Sequence, residues 1–302
     1  MSGMISEFFG YPAADRSADA LRAAASMTCP ILGMPCAKTL SRDGTRSGVC
    51  AIRQKTKATP DVICCPIRLY ADDYALLKTI SAEAFGPGMK LYAGRIAVDR
   101  AKMEGGAVAV FGHRWGGELR LPKRKGSGSY FVDWVLAKLD STGVLEEFVA
   151  VEVQTIDTTG SYRNARLALL GDRKVIADTV GLNWENVSKR ILPQLIYKGQ
   201  VLQREDLCRK GLFFVCPTPI FNRVIDRLGG VEKLPTFSPQ PASIHFIAYD
   251  FADAGDTPEG VVRPLGIANR HDTTVYKVQE AFSSISLPEA NVYQKAIVQA
   301  LG

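Results

Sequence analysis

Residues 130–155 read YFVDWVLAKLDSTGVLEEFVAVEVQT, and this stretch decides the fold. Two runs rich in β-branched and aromatic residues flank Asp140-Ser141-Thr142-Gly143, a turn composition, so the segment predicts a hairpin. In the second run Val149, Val151 and Val153 point one way. The two-residue period of a strand then sends Ala150, Glu152 and Gln154 the other way. Asp133 sits inside the otherwise hydrophobic run Phe131-Val132-Asp133-Trp134-Val135, where an ionised carboxylate is costly without a partner or a cation. If the two runs pair, Asp133 and Glu152 share one face of the sheet, with Gln154 beside them.

Two carboxylates, a backbone carbonyl (Val153 is the candidate) and waters form the donor set of a hard divalent cation such as Mg2+. An ion held there can polarise a phosphodiester, acidify a water for in-line attack and stabilise the departing oxygen. The alternative for the same residues is a pair of strand carboxylates in surface salt bridges. Glu118, in Trp115-Gly116-Gly117-Glu118, reads locally as an exposed residue beside a turn.

Outward from the hairpin, AVAVF (107–111), GELRLP (117–122), GLFFVC (211–216) and SIHFIAYDF (243–251) carry strand patterning. Helical composition marks 16–27, 72–85, 183–205, 218–230 and 287–302. Asp72 or Asp73 is a candidate cap for the second helix, and Gly86-Pro87-Gly88 ends it. Pro193 marks a kink or a first turn. Gln194 and Lys198, on the helix after the hairpin, are either positioning groups for substrate phosphates or ordinary surface polar residues, and the second reading is preferred, so neither is counted as catalytic. These elements predict a mixed α/β fold around a central sheet, with no internal repeat.

The chain has 302 residues, 46% hydrophobic and 23% charged, enough for one large domain or a domain with a smaller appendage. No apolar run approaches the roughly 20 residues of a membrane helix. The first residues lack a cationic stretch followed by an apolar one, so a cytoplasmic protein is expected. A net charge of +6 permits a polyanionic partner without requiring one. Arg120, Lys123, Arg124 and Lys125 crowd the approach to Asp133, as phosphate contacts or as a solvated basic turn. Arg42, Arg46 and Arg53 are candidates for reading guanine edges. The three histidines, His113, His245 and His271, are too widely spaced for a histidine-rich metal site.

Five of the seven cysteines lie in the first 65 residues: Cys29, Cys36, Cys50, Cys64 and Cys65. From Thr28 to Pro66 no apolar period is visible. Such a segment rarely packs by burial alone, which favours a metal staple over disulfides in a reducing compartment. The intervals are irregular and contain no Cys-x-x-Cys knuckle, so spacing leaves a four-cysteine site and inert thiols both open. Cys208 and Cys216 read as small buried hydrophobes.

Several blocks in one order resemble the NotI-like Type II restriction endonucleases. They are Ile-Ser-Glu-Phe-Phe-Gly (5–10), Thr-Cys-Pro (28–30), Ser-Gly-Val-Cys (47–50), Cys-Pro (65–66), Gly-Gly-Glu (116–118) and Phe-x-Asp-Trp (131–134). Val-Glu-Val-Gln-Thr-x-Asp (151–157), Gly-Ser-Tyr (160–162), Asn-Val-x-Lys-Arg (186–190), Gln194 and Tyr197-Lys198 follow. The resemblance implies a PD-(D/E)xK-type core in which glutamine replaces the usual lysine. Asp133 and Glu152 would ligate Mg2+, Gln154 would orient the attacking water and Glu118 would be an accessory acid. It also implies a structural four-cysteine site of Cys29, Cys36, Cys50 and Cys65, holding iron or zinc, with Cys65 preferred to Cys64 because Pro66 follows it. On this reading residues 1–70 form a metal-binding, DNA-contacting segment and 71–302 the nuclease core with a C-terminal elaboration. The partners implied are double-stranded DNA with a GC-rich palindrome, such as one containing CGGCCG, a second copy of the chain, and a cognate DNA methyltransferase. Products would carry 5′-phosphate and 3′-hydroxyl ends. Two rivals stand beside it: a non-catalytic DNA-binding protein organised by the cysteines, and a repair or recombination nuclease on the same core.

Overall fold

A computed structural model describes residues 2–40, 44–54, 60–119, 131–252, 256–284 and 289–302. Strand β1 (Gly3–Phe8) leads into helix α1 (Ala18–Ala25), where Ser17 Oγ accepts the Ala20 N–H at 3.2 Å as the cap. Strand β2 (Val49–Gln54) pairs antiparallel with β1, and the short β3 (Val62–Ile63) pairs with β2. Val49, Ala51, Ile52, Val62 and Ile63 are all buried. The segment between Thr28 and Pro66 therefore does pack by apolar burial, contrary to the expectation from its missing period. Its apolar residues sit on two short strands that pair with distant partners, which leaves no local repeat to read.

Helix α2 (Ala71–Phe85) is followed by β4 (Leu91–Ala93), α3 (Ile96–Glu104) and β5 (Ala107–Gly112). The hairpin is β6 (Trp134–Leu139) and β7 (Leu145–Val153). Helix α4 (Arg163–Asp172) and the two-residue β8 (Ala177–Asp178) follow, the latter joining the edge of β1. Helix α5 (Leu192–Leu202) has Pro193 in its first turn and a π-helical turn, Val187–Ile191, before it. Strand β9 (Leu212–Pro217), α6 (Thr218–Arg227), β10 (Ser243–Phe251), β11 (Leu265–Thr274), α7 (Val275–Ser283) and α8 (Val292–Leu301) complete the order.

The large sheet runs β11-β10-β9-β7-β6-β5-β4 and is mixed. Pairs β7–β9, β9–β10 and β4–β5 are parallel, and the others antiparallel. Its two faces follow the alternation of β7. Val149, Val151 and Val153 pack with Trp134, Leu136, Phe213 and Val215 against Leu76, Leu77 and Ile80 of α2. Ala150, Leu212 and Phe214 turn to the other face, beneath Leu195 and Leu202 of α5 and Val275 and Val278 of α7. That second core also takes in Ile5, Phe8, Ile52 and Val62 from the small sheet.

Three local expectations need correction. Asp133 lies just before β6, not inside it, and residues 117–119 form no strand. Neither Asp72 nor Asp73 caps α2: both, with Tyr74, have left-handed dihedrals, and Tyr70 at the N-cap makes no side-chain cap bond. Among the described residues, no helix is long and apolar enough to cross a membrane.

Candidate active site

The geometry of the site starts at the hairpin turn. Asp140 Oδ1 accepts the Thr142 N–H at 2.8 Å and the Val144 N–H at 2.9 Å, while Gly143 takes φ 82°. This is an Asx turn closed by a left-handed glycine. The strands leave it with Leu145 opposite Leu139, but a bulge follows at once, and Glu147 then faces Lys138. From there Val149 faces Leu136 and Val151 faces Trp134. The next step of this register sets Glu152 opposite Asp133. Without the extra residue Asp133 would meet Val151, whose side chain is on the opposite face.

The two carboxylates are thus cross-strand neighbours on the α5 side of the sheet. Asp133 Oδ2 accepts the Val153 N–H at 2.7 Å, which ties the approach to β6 to the exit of β7. Glu152 Oε1 receives Lys198 Nζ, from α5, at 2.5 Å, and both side chains are mostly buried, at 12% and 17% exposure. Glu152 Oε2 is buried with no hydrogen-bond partner. Burial, and then the charge of Asp133, push the Glu152 carboxyl up to about 7 against the pull of Lys198. Burial likewise raises Asp133, with Glu118 adding to it, while the Val153 N–H and Lys198 oppose the rise. Tyr70, beside the pair, is raised by burial and by the charge of Asp133. A buried pair in which the charge of Asp133 raises Glu152, with one oxygen left bare, forms an electrostatic demand for a cation.

The remaining predicted residues are placed less centrally. Glu118 is half exposed and pairs with His113 at 3.3 Å, although its charge is felt at Asp133. The glycine two residues before it is structural: at Gly116, with φ 83°, an added Cβ would come within 1.8 Å of the Val110 carbonyl oxygen. Gln154 turns its amide to its own neighbour, Nε2 donating to the Thr155 carbonyl at 2.7 Å. It lines a cleft of about 740 Å3 whose other wall includes Lys38, Cys64 and Cys65. A second, largely apolar pocket of about 380 Å3 lies between β6 and α5, with Glu118 and Lys198 on its wall. Lys198, for which the sequence favours a helix surface over a phosphate-positioning role, is instead mostly buried against Glu152. Its neighbours Leu195, Gly199 and Leu202 are all buried, so the apolar pattern of α5 already turned Lys198 toward the sheet.

Among the described residues, no three His, Cys, Asp or Glu side chains converge as metal ligands. Mg2+ commonly binds through one or two carboxylates, completing its shell with waters and substrate phosphate oxygens, so the Asp133–Glu152 pair and the bare Oε2 fit it. The cysteines present a different picture. Cys29, Cys36, Cys50 and Cys65 line one small cavity of about 10 Å3 together with Phe9 and Ile67, and all are free and buried. Cys64 faces elsewhere, with its sulfur 3.4 Å from Lys38 Nζ. Burial raises the thiols of Cys29 and Cys50 and pushes Cys65 up to about 12. The four thiols share a cavity without forming a ligand set.

Of the basic residues expected at DNA, Arg42, Arg120, Lys123, Arg124 and Lys125 lie outside the described residues. Arg46 Nη1 donates to the Cys36 carbonyl at 2.6 Å, bracing the cysteine loop. Arg53 is half exposed and pairs with Asp61 at 2.7 Å.

No curated protein matches the chain. The family model described as restriction endonuclease NotI matches residues 16–259, a span that takes in the hairpin, both carboxylates, Lys198 and every cysteine. With the match covering most of its length, the chain belongs to the restriction endonuclease NotI family and is a Type II site-specific deoxyribonuclease.

Proposed function

We propose that the chain hydrolyses double-stranded DNA with Mg2+ held by Asp133 and Glu152, on a PD-(D/E)xK-type core. The observation that carries this is the cross-strand pair itself: two buried carboxyls in register, Asp133 raising Glu152, with Glu152 Oε2 unpartnered. When bound, Mg2+ supplies charge stabilisation at the scissile phosphate and lowers the pKa of a water. The chain's own residues do the positioning. Val153 N–H fixes Asp133, Lys198 fixes Glu152 and the sheet keeps the pair rigid. Glu118 has a supporting role at the mouth of the site, and Gln154 orients the attacking water once it leaves the Thr155 carbonyl.

The target is a GC-rich palindrome, such as one containing CGGCCG. It is cut to 5′-phosphate and 3′-hydroxyl ends by a homodimer whose two-fold axis matches that of the DNA, in a cytoplasmic system paired with a DNA methyltransferase. Residues 1–70 add a DNA-contacting segment to the nuclease core of 71–302. Arg42, Arg46 and Arg53 lie in that segment, and Arg120, Lys123, Arg124 and Lys125 contact phosphates. The thiols of Cys29, Cys36, Cys50 and Cys65, which form no ligand set without an ion, draw together around iron or zinc when it binds, both being cations that thiolates hold. Support comes from the one small cavity that all four line.

Incubation with GC-rich plasmid and Mg2+ tests the reading. Discrete fragments are expected, none without the metal. Asp133→Asn and Glu152→Gln should lose cutting by a factor of at least 1,000 (about 4 kcal/mol) while still retarding DNA in Ca2+. Undiminished cutting by either variant refutes the assignment. Retarded but intact plasmid with the wild-type chain favours the non-catalytic reading, and ragged degradation the repair nuclease.

A further inference from the structure

We propose that Lys198 is the active-site lysine, supplied from α5 in place of the strand residue at position 154. The inference rests on the Asp133–Glu152 reading above and deepens it. Position 154 carries no charge, and its amide is engaged with the Thr155 carbonyl. Lys198 reaches the same face of the sheet from a helix 46 positions further along the chain, and its ammonium lies 2.5 Å from Glu152 Oε1. Its charge acts on both carboxylates. The side chain is only 17% exposed and stands on the wall of the pocket between β6 and α5.

Lys198 binds one carboxylate oxygen, and the other is buried and bare. Lys198 therefore holds Glu152 by Oε1 and leaves Oε2 free for a cation, and it brings a positive charge to where a phosphodiester's charge grows. In the reaction the water oxygen bonds to phosphorus as the bond to the 3′ oxygen breaks. The water's proton passes to solvent and the 3′ oxygen takes one up to leave as a hydroxyl. Lys198 keeps its proton throughout and offsets the charge gathering on the phosphoryl oxygens.

Three variants test this on GC-rich plasmid under single turnover with Mg2+. Lys198→Met should cut at least 100-fold more slowly. Lys198→Arg, which keeps the charge, should cut at least tenfold faster than Lys198→Met. Mn2+ binding to each variant without DNA, read from the loss of the free-ion resonance, should stay within tenfold of wild type. Lys198→Gln replaces the methionine variant should that fail to melt cooperatively. The proposal is overturned if Lys198→Met cuts within threefold of wild type, if the methionine and arginine variants are equally impaired, or if Mn2+ binding and cutting are lost together. Glu152→Gln in the same assay separates the two levels. If it is inactive while Lys198→Met is active, only the lysine assignment fails; if it cuts normally, the carboxylate reading fails first.

Discussion

Replacing Glu152 by glutamine keeps the shape of the side chain and imitates its protonated form. In the folded chain the carboxyl titrates at about 7 instead of the ordinary 4.5, because it is buried beside Asp133. At 1.36 kcal/mol per pH unit, the ionised form costs the fold about 3 kcal/mol. The unfolded chain ionises this group first, so wild type loses stability as pH rises from about 4.5 to about 7 and loses no more above that. Glu152→Gln is exempt from the loss. The variant should therefore match wild type near pH 4.5 and exceed it by about 3 kcal/mol at pH 8, in the absence of divalent cations. Urea denaturation in EDTA, followed by tryptophan fluorescence at pH 5 and pH 8, measures the difference. Addition of Mg2+ at pH 8 should narrow it by stabilising wild type alone. An equal or lower urea midpoint for the variant at pH 8, or the same increment at both pH values, would refute the electrostatic account of the site.

On the proposed four-cysteine site, Cys50→Ser should purify with less iron or zinc than wild type and melt at a lower temperature, and unchanged metal content would remove Cys50 from the proposed ligands. Arg68, wholly buried, donates its Nε to Glu7 at 2.9 Å, so Arg68→Met should destabilise by about 3–5 kcal/mol. Adding Glu7→Leu should recover much of that loss, and a double variant as unstable as the single one in urea would contradict this reading of the pair. Burial works to raise the Asp272 carboxyl, but its 2.8 Å hydrogen bond with His245 and the charges of His245 and Arg270 outweigh it and hold it low. An acid held low stabilises the fold above its unfolded pKa, so Asp272→Asn should cost about 1–2 kcal/mol at pH 7. The gap should close below about pH 4 as the wild-type carboxyl protonates, and thermal melts at pH 7 and pH 3 check both ends.

The elements legible in the sequence were those with a period of their own. The alternation of Val149, Val151 and Val153 located β7 and the side of the sheet on which Glu152 lies, and the apolar runs at 211–216 and 243–251 gave β9 and β10. Strands β1, β2 and β11 have no such period. The first two are short and pair with each other across more than 40 residues, while β11 is an edge strand, exposed at its centre, whose run LGIANRHDTT lacks alternation. Helix α8, legible from its composition, has no buried residue and exposes Tyr293, Ile297, Val298 and Leu301. At the site, Asp133 and Glu152 could be named because a carboxylate in an apolar run is locally conspicuous. The apolar pattern of α5 turns Lys198 toward the sheet, but which acid it meets depends on how α5 crosses β7, and that no local pattern encodes. The cavity shared by Cys29, Cys36, Cys50 and Cys65 is likewise a product of loops folded around β2.

The bulge after Leu145 makes the alliance of the two acids a question of parity. Nineteen peptide bonds separate Asp133 from Glu152, and the turn between them, residues 140–144, could be lengthened or trimmed at small entropic cost. Yet any odd change in the count that β6 and β7 absorb between them would rotate Val151 or Val153 into the place of Glu152 and bury the acid among valines. Length variation in this loop is therefore tolerable in steps of two, or where a second irregularity restores the count. An engineer grafting a new turn here inherits that arithmetic before any consideration of sequence.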